Sequence, residues 1–115
     1  MSLRFLRQLS TMATPIEDAL RQKITAALGP TKLVIHNDSH LHAHHKAMAG
    51  NTSQETHFRL EVTSAKFEGL RLPARHRLVY DLMKEEMQRE GGLHALQMKT
   101  RTEEEDRREE ERNKV

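Results

Sequence analysis

The chain has 115 residues, 36% apolar and 3% aromatic, enough for one compact core and too little for two ordinary domains. Five glycines, three prolines and no apolar run approaching the ~18 residues of a membrane span argue against collagen-like, proline-rich and transmembrane classes. The net charge is +2, but residues 103–115 hold seven acids against four bases and stand at −3, which leaves residues 1–102 at +5, too small an excess to identify an acidic partner.

Residues 1–13 contain Arg4 and Arg7, and no acid occurs before Glu17, while Leu3, Phe5, Leu6 and Leu9 share one helical face. A basic amphipathic segment without acids predicts a mitochondrial targeting sequence, because the membrane potential draws such a helix inward. An unstructured cytosolic terminus has similar composition, and Met12 offers a second start. The folded domain is expected over 14–102, followed by an acidic tail over 103–115.

Thr14-Pro15-Ile16-Glu17 reads as a helix N-cap, a proline at the first helical position and a Glu three residues after the cap. Ile16, Ala19, Leu20, Ile24, Ala27 and Leu28 then recur at the spacing of one buried face, and Gly29-Pro30 stops the helix. Lys32 to Asn37 is long enough only for a strand. A polar loop runs from Asp38 to about Glu55, and Thr56 to Thr63 alternates Phe58, Leu60 and Val62 with His57, Arg59 and Glu61, as a half-buried strand does. A hairpin is the simplest link between the two strands. After a turn-rich stretch, Leu78, Val79, Leu82, Met83 and Met87 mark an amphipathic helix from near Pro73 to Gly91-Gly92. Leu93 to Lys99 reads as a third strand with His94, Leu96 and Met98 on one face, and the tail beyond Thr102 as a solvated helix. The order α-β-β-α-β predicts an α+β sandwich, a three-stranded sheet with helices on one face, plus a charged C-terminal helix.

With no cysteine, the chain has no disulfide, thiolate metal site or cysteine nucleophile of its own, so any metal must sit on nitrogen or oxygen. Eight histidines are the compositional oddity. His40, His42, His44 and His45 crowd the polar loop and His36 lies just upstream; neutral imidazole is a common ligand, yet spacing alone suits a solvated loop equally well. A lone His on a strand, as at His94, is more often a satisfied core or rim residue than a ligand. Phosphate loops, the G-x-S-x-G elbow and H-E-x-x-H are all missing from the sequence, so no enzyme is expected. A KH-type nucleic-acid clamp requires Gly-x-x-Gly, but Glu68-Gly69-Leu70-Arg71 has Arg at the second glycine position. Arg75-His76-Arg77 is a compact cationic element suited to a partner's carboxylate or phosphate, and equally to ordinary helix surface.

Several linked segments together resemble the BolA family: Asn37-Asp38-Ser39, Glu55-Thr56-His57-Phe58-Arg59, Val62-Thr63-Ser64-Ala65-Lys66-Phe67-Glu68-Gly69, Arg75-His76-Arg77-Leu78-Val79-Tyr80 and Leu93-His94-Ala95-Leu96 before Lys99-Thr100. The resemblance covers roughly Thr14 to Thr102 and implies a class II KH-like α/β sandwich. It is nearest to the mitochondrial type that partners monothiol glutaredoxins in iron-sulfur protein maturation. It implies a [2Fe-2S] cluster shared with the glutaredoxin and its bound glutathione, with His94 as one ligand and His42 as the loop ligand; His40, His44 and His45 are crowded alternates. The cationic element of Arg75, His76 and Arg77 is expected to bind the partner, and the resemblance further implies iron-sulfur client proteins in the mitochondrial matrix, with a cytosolic pool as a variant. The alternative that the resemblance carries is a KH-like nucleic-acid-binding transcriptional regulator, although nucleic acid is not the expected partner, and neither is a membrane.

Overall fold

The computed structural model describes residues 14–39, 55–89 and 92–114. The targeting segment expected over 1–13 and the loop histidines His40, His42, His44 and His45 lie outside these residues. Helix α1 spans Pro15–Leu28, and strands β1 and β2 span Lys32–Asn37 and His57–Thr63. A 3-10 turn over Ala65–Phe67 leads to α2, Leu72–Leu82, and the short α3, Lys84–Gln88; β3 is Ala95–Arg101 and α4 is Glu103–Asn113.

The sheet order is β1-β2-β3, with β1 antiparallel and β2 parallel to their neighbours β2 and β3. The register pairs Leu33 with Val62 and Ile35 with Leu60, then Phe58 with Leu96 and Leu60 with Met98, so one face of the sheet is apolar. On that face pack Ile16, Leu20, Ile24 and Leu28 of α1, Val79 of α2, and Met83, Phe67 and Leu93 from the connections. Parallel pairing of β2 and β3 demands a crossover, which α2 and α3 supply. This is the expected α+β sandwich. The core is filled by apolar side chains packed on one another, so a chelator is expected to leave the midpoint of thermal unfolding unchanged by circular dichroism. A large drop would reveal a structural ion.

Several local expectations are corrected. The Thr14 side chain makes no capping bond to α1. Instead Glu55, 39 residues downstream of Ile16, accepts from the Ile16 and Glu17 N–H groups at 3.0 and 2.9 Å. A carboxylate at a helix N-terminus satisfies orphan donors and complements the helix dipole. Ala27, expected on the buried face, is exposed. Gly29 does end the helix, in the left-handed region at φ 48°.

The single helix expected between Pro73 and Gly91 is broken at Met83, whose N–H bonds the Tyr80 carbonyl and whose side chain is fully buried. That three-residue step tightens the last turn and redirects the chain. Lys23 of α1 then holds α3 by donating to both oxygens of the buried Glu86, at 3.0 and 2.8 Å.

Helix α4 is only partly solvated. Lys32 and Arg101, on the sheet face opposite the core, reach it through Lys32 with Asp106 (3.0 Å) and Glu110 (3.3 Å) and Arg101 with Glu109. Thr102 and Glu105 form a capping box, with bonds of 2.8 and 3.2 Å. The acidic composition of this segment is thus matched to basic residues of the sheet.

Candidate functional site

The segment Glu55-Thr56-His57-Phe58-Arg59 and the turn Asn37-Asp38-Ser39 tie together the two ends of the histidine loop. The Ser39 hydroxyl donates to Asn37 Oδ1 at 2.6 Å and accepts from the N–H groups of Thr56 (2.8 Å) and His57 (3.1 Å). Asp38 accepts from Arg59 at 2.8 Å, and Phe58 is buried in the core. Each side chain in these motifs has a distinct task, and most of those tasks fix backbone.

The same knot positions His94. The Thr56 carbonyl accepts from the N–H groups of both His94 (2.8 Å) and Ala95 (3.1 Å). Two successive donors on one acceptor break the strand alternation: Leu93 is buried, His94 exposed and Leu96 buried again. The expectation that His94 shares the Leu96 and Met98 face of the strand is therefore corrected, since His94 precedes β3 and is turned to solvent. Its approach is set by Gly92, where a Cβ would collide with the Glu86 carbonyl. The imidazole of His57 lies beside it, ring centroids 6.0 Å apart and planes at 68°. The contact between Thr56 Oγ1 and His57 Nδ1, 2.9 Å, orients that ring. In the sequence His57 reads only as an outer-face strand residue, and its place in the Glu55–Arg59 motif is the available signal.

Arg75 corrects the partner-binding expectation. Its side chain is buried, with Nε donating to the Leu70 carbonyl (2.8 Å) and Nη1 to the Thr100 carbonyl (3.2 Å). Nη1 and Nη2 also reach the Glu105 carboxylate at 2.7 and 3.3 Å, and the guanidinium lies 5.8 Å from the centroid of the Phe67 ring. The charge is consumed inside the molecule. His76 is half-buried and Arg77 exposed, so only these two of the three present themselves at the surface.

Helix α2 runs along β3, with Tyr80 donating to the Leu96 carbonyl at 2.8 Å and Arg75 to that of Thr100. Four strand residues separate those carbonyls, about 13 Å. The Arg75 end of α2 and His94 thus sit at opposite ends of β3, and the structure does not gather them into one site.

Arg75, first, and the Thr102 N–H, second, hold the Glu105 carboxyl down at about 2 from an ordinary 4.5. A carboxyl whose pKa is depressed by folding stabilises the fold fully above its unfolded value and loses that contribution as pH falls through the folded one. Acid titration of the melting temperature from pH 4.5 to 2 is expected to show a steeper fall for the wild type than for Glu105→Gln. Equal slopes would mean that the Arg75 pair contributes nothing.

A family model described as BolA-like protein matches residues 24–105. The chain belongs to the BolA-like family. It is 48% identical over 83 residues to the UV-induced protein uvi31 of Schizosaccharomyces pombe, covering 71% of this chain and 79% of that protein. With the chloroplastic BOLA1 protein of Arabidopsis thaliana it shares 46% identity over 83 residues, covering 72% of this chain and 51% of the relative, so the match spans about half of that protein. The solution structure of BolA1 from Mus musculus superposes with a TM-score of 0.66 at 38% identity, covering 84% of this chain and 72% of that one. The knot of Ser39, Glu55, Thr56 and His57 lies within the matched BolA-like region, as does His94.

Proposed function

We propose that this BolA-like chain is a maturation factor for iron-sulfur proteins that binds a monothiol glutaredoxin and shares with it a glutathione-supported [2Fe-2S] cluster. The cluster is its cargo, held for delivery to client proteins in the mitochondrial matrix. The observation that carries this reading is His94: an exposed imidazole on a backbone fixed by the buried Thr56, in a chain without cysteine. Such a chain takes part in cluster ligation only if the partner brings the sulfur. Imidazole ligation of a [2Fe-2S] iron is established chemistry, and it raises the cluster potential above that of all-thiolate sites.

His42 is the proposed loop ligand. It follows Ser39 by three residues, a span of at most about 11 Å, and Ser39 is itself bonded to the segment that positions His94. The basic, acid-free composition of residues 1–13 supports import, and the chloroplastic name of the plant relative is in keeping with an organellar setting. The chain acts here by binding and transfer, without catalysis. His76 and Arg77 are the residues of the cationic element proposed to meet the partner.

Mixing the chain with a monothiol glutaredoxin, glutathione, iron and sulfide tests the proposal. A heterodimer with visible absorption and circular dichroism distinct from those of the glutaredoxin alone is expected. Spectra identical to those of the glutaredoxin homodimer would contradict it.

A further inference from the structure

We propose that His57 and His94 form a two-imidazole site that takes a borderline divalent transition ion, of the Cu²⁺ or Zn²⁺ kind, on the isolated chain. The proposal goes beyond cluster sharing and stands without the glutaredoxin. Its basis is the juxtaposition of the two rings, 6.0 Å between centroids in an edge-to-face arrangement. An imidazole nitrogen binds Zn²⁺ at about 2.0–2.1 Å, so two rings on one tetrahedral ion have centroids about 5 Å apart. Closing the difference needs a movement of about 1 Å, within reach of a side-chain rotation at the exposed His94.

The frame beneath the rings is tied by hydrogen bonds. Thr56 is fully buried, its carbonyl holds the His94 and Ala95 N–H groups, and its own N–H and that of His57 are held by Ser39. The Thr56 hydroxyl faces His57 Nδ1 at 2.9 Å. In metal sites a hydrogen bond at one ring nitrogen fixes the tautomer and makes the other nitrogen the better ligand. Two neutral imidazoles without thiolate favour Cu²⁺, Zn²⁺ and Ni²⁺ over Mg²⁺ or Ca²⁺, leaving the remaining positions to water or a partner's group. Among the described residues no three His, Asp or Glu side chains converge, so the pair supplies two protein ligands to the ion.

The loop histidines compete for the same ions, so the test uses the full chain carrying His40→Asn, His42→Asn, His44→Asn and His45→Asn. Titration with Cu²⁺ alone, followed by electron paramagnetic resonance, is expected to show one bound ion per chain with coupling to two nitrogens. Adding His57→Ala or His94→Ala to that background is expected to weaken binding at least about tenfold, whereas His36→Ala leaves it unchanged. His57→Gln, which keeps a polar side chain at the position, is a second variant for the case in which His57→Ala misfolds, and it is expected to weaken binding alike. No stoichiometric ion on the four-loop variant, or undiminished binding in either folded His57 variant, would overturn the site. Cluster assembly with the glutaredoxin is read separately, on the unsubstituted chain: a cluster there with no stoichiometric ion on the four-loop variant refutes this site alone, and a stoichiometric ion on the four-loop variant with no cluster on the unsubstituted chain refutes cluster sharing alone.

Discussion

His94→Ala is expected to abolish the histidine-ligated cluster spectrum of the complex while leaving glutaredoxin binding largely intact. The ring is exposed, so its removal opens no cavity in the core, and the backbone bonds that fix the position do not involve the side chain. What is lost is one donor nitrogen. Loop substitutions are expected to act more softly: with His40, His44 and His45 close in sequence, His42→Ala is expected to keep part of the signal, and only the combined loop variant to match His94→Ala. Visible circular dichroism reads the cluster and size-exclusion chromatography reads the heterodimer. An unchanged spectrum with His94→Ala would remove the central residue from the account.

Arg75→Met is expected to produce the largest loss of stability among surface-looking positions. The substitution leaves the Leu70 and Thr100 carbonyls without their donor and Glu105 without its guanidinium. Hydrogen bonds to a charged group contribute about 1.5–3 kcal/mol each, and orphaned carbonyls near the core add a desolvation cost, so a loss of at least about 3 kcal/mol follows. For a domain of this size that corresponds to a fall in melting temperature of about 12 °C or more. Glu105→Gln should cost less, about 1 kcal/mol, since its side chain is 45% exposed and water replaces part of what is lost. Chemical denaturation of both variants checks the order. Similar small losses would return Arg75 to the surface role that its sequence suggests.

That contrast shows where sequence reading works in this protein and where it stops. The four-residue spacing of Ile16, Leu20, Ile24 and Leu28 and the alternation of Phe58, Leu60 and Val62 are local signals, and both predict the observed buried faces. From those faces and the element order the sandwich follows. Glu55 is different: its carboxylate caps a helix 39 residues before it, and no local pattern announces a tertiary cap. Arg75 reads as helix surface because its partners, Thr100 and Glu105, come from β3 and α4. For His94, periodicity points the wrong way, because the Thr56 carbonyl takes two successive N–H groups and breaks the alternation at that residue. The pairing of His57 with His94 likewise arises from strands brought together by the parallel register, which places His57 opposite Ala95. Family resemblance, carried by the same motifs, singled out His94 where periodicity did not.

The measurement closest to the central claim is pulsed electron paramagnetic resonance of the reduced cluster in the heterodimer. This chain is prepared once with natural histidine and once with ¹⁵N-histidine, against an unlabelled glutaredoxin. The account predicts nitrogen couplings that change isotope with the label on this chain and lose the His94 contribution in His94→Ala. Couplings that ignore the label, or a cluster with no nitrogen coupling from this chain, would contradict it.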